Sequence, residues 1–161
     1  MLFRSIPVAH ARRIVQAYRQ DLGKARYRDW SELLAYLRFS AGACADYVVA
    51  ALGLDKSLAP SLQALALAHA LLARSESASS DLARATKIYL PLRWLSDAGL
   101  DSDEISFADT GRWLKVRDQI VAQTRQLLTQ STGLKAAPGW RLRLALAWAR
   151  TAVEARCDAL A

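Results

Sequence analysis

One stretch of the sequence combines residues that could recognise an anionic ligand. It runs from Asp81 to Gly99 and reads DLARATKIYLPLRWLSDAG. Lys87 precedes a Tyr-Leu-Pro turn, which leads into a segment with the spacing of a short amphipathic helix. Together with Arg74 and Arg84, Lys87 could form charge-assisted hydrogen bonds with a phosphate group. The segment therefore predicts a phosphate-binding junction between two helices.

Carboxylates are scarce where this junction begins. Residues 73–81 read ARSESASSD, in which Glu76 and Asp81 are the acidic members. Mg²⁺ prefers an octahedral shell of oxygen atoms and bridges several carboxylates to a diphosphate. We therefore expect no metal site and no cofactor, and Glu76 and Asp81 are the residues that could contribute to a metal site if one exists.

Each candidate residue also has a plain structural explanation. Asp81 could be a solvated carboxylate near a helix end, and Arg74 and Glu76 could be surface residues. Lys87 and Tyr89 could pack beneath the turn that follows them. The sequence contains no Gly-rich phosphate loop, zinc-ligand spacing or nucleophile elbow. The junction is thus the main candidate site.

The elements that position this junction are predicted to be helices. With 161 residues, 53% of them hydrophobic, the chain suits a single domain over residues 1–161. Gly and Pro are few, at 7 and 4, so we expect an all-α helical bundle without strands. The predicted helices span residues 8–22, 30–53, 57–75, 91–99, 110–128 and 140–160.

Two long apolar segments are predicted to form the centre of the bundle. The run Leu33–Leu54 is long enough to span a membrane, but Arg38 and Asp46 interrupt it and would be costly at mid-bilayer. We expect it to be a fully buried core helix. His69 lies in the next apolar helix, where a buried histidine bonded to a backbone carbonyl is expected.

The last predicted helix has one stripe that we expect to face the core. Leu144, Trp148 and Ala152 form this stripe at helical spacing. The arginines of the helix are expected to lie mostly outward, namely Arg141, Arg143, Arg150 and Arg156. We interpret the five tryptophans of the chain as core or interface anchors, three of which could line an apolar groove.

The net charge of +7 comes from arginines spread along the chain. It favours weak attraction to phospholipid surfaces, diphosphates or nucleic acid and does not select among them. Cys44 and Cys157 lack a CxxC pattern and are predicted to be free, buried thiols in a reducing compartment. The N-terminal residues lack the apolar core and cleavage site of a signal peptide, so we expect a cytoplasmic protein.

Three segments together resemble the squalene/phytoene synthase family. Residues 18–53 are similar to its Tyr-rich core helix, KIYLPLRWLSDAG to the exit from its second aspartate-rich motif, and residues 139–160 to its final helix. The spacing from Asp81 to Tyr89 is most similar to the hopanoid-pathway branch, which makes hydroxysqualene. The resemblance implies a type I isoprenoid (terpenoid) synthase fold, in which the tyrosine equivalent to Tyr89 faces the active site.

Two departures from the family pattern imply that catalysis has been lost. The family domain is longer, and the portion without a counterpart here is N-terminal and carries the first aspartate-rich motif. In the second motif the leading aspartate falls on Ser77, Asp81 matches the trailing one, and Ala73 stands where the family has an amide. The resemblance then implies a shortened, non-catalytic protein that binds an isoprenoid, another lipid or a protein partner. The residues expected to bind the ligand are Arg74, Arg84, Lys87 and Tyr89, and none is expected to be catalytic.

A shortened family fold would leave apolar helix faces uncovered, at a cost comparable with the stability of a domain. We expect a second copy of the chain to cover them; a partner subunit, a bound lipid or a membrane surface are the other candidates. Non-catalytic relatives act in respiratory-complex assembly, so an assembly or scaffold role is also implied. One alternative is a subunit of a composite Mg²⁺-dependent prenyl synthase. Another is a basic helical module that binds the inner membrane peripherally, with nucleic acid as the less favoured target.

Overall fold

Seven α-helices and two short strands form the described part of the chain. The computed structural model describes residues 8–24, 26–85, 87–100 and 110–161, with Arg84, Ala85 and Thr110 described by backbone alone. In chain order the elements are α1 Val8–Gly23, β1 Arg26–Tyr27, α2 Trp30–Leu37, α3 Ala43–Leu52, α4 Ala59–Ala85, β2 Ile88–Pro91, α5 Leu92–Asp97, α6 Thr110–Gln130 and α7 Trp140–Leu160. A π-helical turn, Arg38–Gly42, joins α2 to α3, and 3₁₀ turns at Lys56–Leu58 and Ser131–Ala136 precede α4 and follow α6. The predicted all-α bundle is confirmed.

The core is built around α4, which packs against α3, α6 and α7. Leu71 and Leu72 of α4 are buried against a core that includes Val116 and Ile120 of α6. Removing these apolar side chains from water is the main favourable contribution to folding. The second half of α4 also carries the candidate residues from Arg74 to Asp81, so the packing of this helix fixes where they lie.

Asp29 caps α2, as its spacing from Glu32 indicates. Asp29 Oδ1 accepts a hydrogen bond from the Glu32 backbone N–H at 3.0 Å, and Glu32 Oε2 accepts one from the Arg28 backbone N–H at 2.6 Å. This reciprocal pair is a variant of the capping box. Hydrogen bonds from the Ser31 hydroxyl and the Glu32 backbone lower the pKa of Asp29 to about 2. The cap therefore uses an ionised carboxylate.

The expectation of a fully buried helix from Leu33 to Leu54 is wrong. By length and composition the stretch Trp30–Leu52 could cross a membrane, and 39% of its most apolar window is buried. Phe39, Tyr47 and Val48 are about two-fifths exposed, and Leu52 is 59% exposed. The stretch from α2 to α3 is buried on one side and exposed on the other, because only one of its sides packs against α4. It ends at Gly53, as predicted, where a φ of 62° suits glycine.

The two cysteines differ in burial. Both are free thiols, as predicted, and Cys157 is buried, whereas Cys44 on α3 is exposed. The prediction that both thiols are buried is therefore wrong for Cys44, because it lines an open groove that α3 forms with α4 and α7.

The serine-rich segment does not end α4, contrary to the prediction. The helix continues to Ala85, and the serine hydroxyls bond back to its own carbonyls. Ser75 donates to the Leu72 carbonyl at 2.7 Å, and Ser80 donates to the Ser77 carbonyl at 2.8 Å. These bonds satisfy the hydroxyls inside the helix and bring Ser77 and Asp81 onto its last turns.

Two short strands were not predicted. β1 pairs in parallel with β2, with Arg26 opposite Ile88 and a register shift before Tyr27 meets Pro91. A two-residue strand is too short to show the alternation that predicts strands. The pairing is nevertheless important, because it joins the end of α1 to the segment that carries Lys87 and Tyr89.

Helix α7 is oriented differently from the prediction. Leu144, Trp148 and Ala152 are exposed, and Val153 and Cys157 are the buried residues of this helix. Arg141 and Arg143 are exposed as expected, but Arg150 and Arg156 are partly buried and bonded to other helices. The side of α7 that packs against α4 and α6 carries the small side chains of Val153 and Cys157, whereas the larger apolar side chains of the helix lie in solvent.

Candidate functional site

The junction predicted from the sequence lies where the end of α1 meets β2. Lys87 Nζ donates to the backbone carbonyl of Asp21 and lies 3.9 Å from Asp21 Oδ2. The Tyr89 hydroxyl donates to Asp21 Oδ1 at 2.5 Å. One carboxylate thus binds both candidate residues of the Lys-Ile-Tyr segment.

Arg74 reaches the same cluster from α4. Its guanidinium carbon lies 4.1 Å from the centroid of the Tyr89 ring, which is a cation–π contact. Its Nη2 donates to the Tyr36 hydroxyl at 3.3 Å. The structure therefore brings Arg74, Lys87 and Tyr89 together around Asp21 and Tyr36, and we call these five residues the Arg74 cluster. Arg84, the fourth predicted ligand-binding residue, lies in α4, but its side chain is outside the described residues.

Tyrosine rings form one wall of the Arg74 cluster. The Tyr36 centroid lies 5.2 Å from that of Tyr27 and 5.9 Å from that of Tyr89. Burial is the main cause that raises the pKa of all three phenols, so they stay protonated near neutral pH. The Tyr27 hydroxyl is buried and has no hydrogen-bond partner among the described residues. The wall offers neutral hydroxyl groups, which are poor metal ligands.

The two residues that match the second aspartate-rich motif, Ser77 and Asp81, are hydrogen-bonded to each other. The Ser77 hydroxyl donates to Asp81 Oδ2 at 2.6 Å. Ser77, which stands in the position of the leading aspartate, thus binds the trailing one instead of contributing a second carboxylate. Asp81 is partly buried and lies about one turn before the end of α4.

Glu76 is bound by an arginine from α7. Arg156 Nε donates to Glu76 Oε1 at 3.0 Å and Nη2 donates to Oε2 at 2.7 Å, which is a bidentate pair. Arg156 Nη1 also lies 2.9 Å from His69 Nδ1. The prediction of a buried histidine bonded to a backbone carbonyl is wrong, because His69 faces α7 at the surface and meets Arg156 there.

These donors do not fit a magnesium–diphosphate centre. Glu76 and Asp81 are five residues apart and point to different sides of α4. One carboxylate is neutralised by Arg156 and the other accepts from Ser77. Across the described ranges of the chain, no group of three or more His, Cys, Asp or Glu side chains converges on one point. A cluster of metal ions needs more carboxylate oxygen than this set supplies.

An apolar groove of about 420 Å³ runs between α3, α4 and α7. Small and aliphatic side chains line it, including Ala45, Leu65, Ala149 and Ala152, and His69 and Arg156 lie at its polar part. The sequence predicts a groove only in general terms, and it assigns tryptophans to the lining where the structure has alanines. Ligand pockets of small molecules have volumes of about 300–1,000 Å³, so the groove is large enough for one.

Some residues of the site were not foreseen from the sequence. Asp21, Tyr36 and Arg156 complete the contacts of the candidates, yet each lies 38 or more residues from its partner along the chain. Local spacing carries no signal for such pairs.

The fold and the remnant motif together define an all-α isoprenoid synthase fold. A sequence model of the squalene/phytoene synthase family matches residues 3–161, so the chain belongs to the squalene/phytoene synthase family. The predicted family and fold are confirmed.

Relatives from bacteria and plants agree with this assignment. The chain is 25% identical over 126 residues to a hydroxysqualene synthase of Sinorhizobium fredii, covering 78% of this chain and 43% of that protein. It is 30% identical over 146 residues to phytoene synthase 2 of Zea mays, covering 84% and 36%. The crystal structure of squalene synthase HpnC from Alicyclobacillus acidocaldarius superposes with a TM-score of 0.81 at 24% identity, over 96% of this chain and 59% of that one. The chain thus spans less than half the length of the hydroxysqualene synthase and of the phytoene synthase.

Proposed function

We propose that this chain is a non-catalytic member of its family that binds an uncharged isoprenoid or similar lipid in the groove between α3, α4 and α7. The observation that carries the proposal is that the described candidates for phosphate or metal binding are already bound within the chain. Lys87 is bound by Asp21, Arg74 by Tyr36 and Tyr89, and Glu76 by Arg156. Such groups would have to break internal contacts before they could hold a diphosphate.

The charges around the groove support an uncharged ligand. Arg156 is the cation among its lining residues, and Glu76 neutralises it. Among the residues that the structure describes, no unpaired cation would lie beside a diphosphate in this position, and removing such an anion from water without a partner is costly. An isoprenoid hydrocarbon or alcohol can place its chain along the alanine and leucine side chains and, for an alcohol, its hydroxyl near His69.

Native mass spectrometry with farnesol and farnesyl diphosphate as probes tests this proposal. We expect farnesol to remain bound and to bind at least about tenfold more tightly than the diphosphate. Ala152→Trp should abolish farnesol binding, because the indole would occupy the groove. Ala155→Trp is the matched control on an exposed side of α7 outside the groove lining, and it should bind like the wild type.

Two outcomes would contradict the proposal. One is tighter binding of the diphosphate than of the alcohol. The other is Mg²⁺-dependent release of pyrophosphate from farnesyl diphosphate by this chain alone, which would make it an enzyme. If such activity is found, Asp81→Ala should abolish it.

A second candidate function is that of one subunit in a composite prenyl synthase. It is favoured by the isoprenoid synthase fold together with the finding that, among the described residues, no group of acidic side chains converges to hold a metal ion. A partner would then supply the first aspartate-rich motif and the cations that this site lacks. Co-purification with a second prenyl-synthase-like chain, together with Mg²⁺-dependent turnover of presqualene diphosphate by the pair alone, would support this alternative over a binding or assembly role.

A further inference from the structure

The outer side of α7 presents three large apolar side chains to solvent. Trp140 is 64% exposed, Leu144 is 63% exposed and Trp148 is 77% exposed. They lie four residues apart and so form one stripe along the first half of the helix. We call this stripe the α7 face. Its shape is convex, because it is the outside of a helix, and it is therefore unsuited to enclosing a small ligand.

A basic cavity lies beside the α7 face. It encloses about 250 Å³ between the 3₁₀ turn at residues 131–136 and α7, and its lining includes Lys135, Arg143 and Arg150 with the Thr132 side chain. None of its described lining residues is acidic. Arg150 is paired with Glu154 at 2.8 Å. Lys135 and Arg143 are exposed and have no acidic partner among the described residues.

The charge of this end of α7 is uniformly positive. Arg141 is exposed and its guanidinium carbon lies 5.3 Å from the Trp140 ring centroid, so cation and indole form one surface. The first acidic residue of α7 is Glu154, two turns beyond Leu146 and already paired with Arg150. Exposed indoles, arginines without an acidic partner among the described residues, and an adjacent cationic cavity thus coincide at one end of one helix.

We propose that the α7 face docks on an anionic lipid bilayer. Indole rings prefer the boundary between lipid headgroups and acyl chains. Lys135, Arg141 and Arg143 would lie at the level of the lipid phosphates, with the cavity accepting a phosphate group. Basic residues near an anionic leaflet strengthen such binding, and an apolar stripe inserts beside them.

The charges favour a bilayer over a second copy of the chain. In a two-fold symmetric dimer the same patch meets itself, so the arginines beside the α7 face of one copy would approach those of the other. Like charges placed together across an interface are unfavourable. An anionic membrane instead complements them. This proposal goes beyond the binding function of the groove and does not depend on it.

Co-sedimentation with vesicles tests the docking of the full chain. One set of vesicles contains phosphatidylcholine alone, and the other contains about 30% phosphatidylglycerol. We expect binding to the anionic vesicles, weakening as salt is added. The double variant Trp140→Ser, Trp148→Ser should lower the affinity at least about tenfold. The double variant Lys135→Gln, Arg143→Gln should lower it about fivefold for each basic residue removed.

Helix α1 provides matched controls, because it also exposes apolar and basic residues. Tyr18→Ser with Leu22→Ser, and Arg12→Gln with Arg19→Gln, should leave vesicle affinity within about twofold of the wild type. Circular dichroism confirms that each variant is folded. In addition, phosphatidylcholine brominated in its acyl chains, mixed into the anionic vesicles, should quench tryptophan fluorescence in the wild type and lose this effect in the tryptophan variant.

Several results would overturn the proposal. Equal binding to neutral and anionic vesicles would remove the role of the basic cavity. Loss of binding in the α1 variants but not in the α7 variants would place the contact elsewhere. Absence of vesicle binding, combined with a dimer in sedimentation velocity that the tryptophan variant abolishes, would assign the α7 face to a second copy.

Discussion

The positively charged side chains of the Arg74 cluster and those beside the α7 face differ in their partners. In the cluster, Arg74 contacts two tyrosines and Lys87 contacts Asp21, so each cation is bound inside the chain. Beside the α7 face, Arg141 and Arg143 stay in water next to exposed indoles. The comparison indicates that the cations of the Arg74 cluster hold α4, β2 and the end of α1 together. Arg141 and Arg143 of the last helix, by contrast, are exposed and have no acidic partner among the described residues.

The largest expected difference between the two regions concerns the replacement of one leucine by alanine in each. Leu71, below the Arg74 cluster on α4, is completely buried, whereas Leu144 is mostly exposed. Leu71→Ala should lower the free energy of unfolding by about 2–5 kcal/mol because it leaves a cavity. Leu144→Ala should change it by less than about 0.5 kcal/mol. Urea unfolding followed by circular dichroism measures both values, and a similar loss for the two variants would show that α7 is covered in solution.

An arginine pair sharpens the comparison further. Arg74→Ala removes a cation–π contact and leaves the buried Tyr36 hydroxyl without its donor, so the free energy of unfolding should fall by about 1–3 kcal/mol. Arg143→Ala removes an exposed side chain that has no acidic partner in the described part of the chain, and it should have an effect within about 0.5 kcal/mol. The measurement is again urea unfolding at neutral pH. If Arg143→Ala proved as destabilising as Arg74→Ala, the distinction between internal and available cations would be wrong.

The smallest expected effect concerns the cap of α2 and its dependence on pH. Hydrogen bonds lower the pKa of Asp29 to about 2, below its ordinary value of 3.8. A carboxyl group with a lowered pKa stabilises the fold above its unfolded pKa, and this contribution is lost as the pH falls from about 4 to about 2. We therefore expect the melting temperature of the wild type to fall by a few degrees more over this range than that of Asp29→Asn. Asparagine caps without titrating and serves as the control. Parallel acid profiles for the two proteins would contradict this role of the carboxylate.

The sequence is most informative where a residue acts on its own neighbours. Asp29, Gly53 and Gly99 each mark a helix end, and the structure has ends there. The prediction that a helix ends in the serine-rich segment was wrong, because the hydroxyls that favour turns can also bond back to carbonyls within a helix. The family resemblance predicted the fold as a whole, since it depends on many positions together.

The side-chain partners of the site could not be predicted in this way. Tyr89 and Asp21 are 68 residues apart, and Arg156 and Glu76 are 80 apart. Such pairs depend on how whole helices pack. The predicted orientation of α7 was wrong for a related reason. An apolar stripe at helical spacing has the same pattern whether it faces the core or the solvent, so periodicity alone does not say which side of a helix is buried.

The sparse attachment of α1 has a consequence for the motions of this protein. Ala17 is its buried residue, and its terminal turn is held through Asp21 to Lys87 and Tyr89. Elements with little buried apolar surface open at lower free energy than the core around them. The amide protons of α1 should therefore exchange with deuterium before those of α4, and each such opening would bring solvent to the ring of Tyr89 and the guanidinium of Arg74.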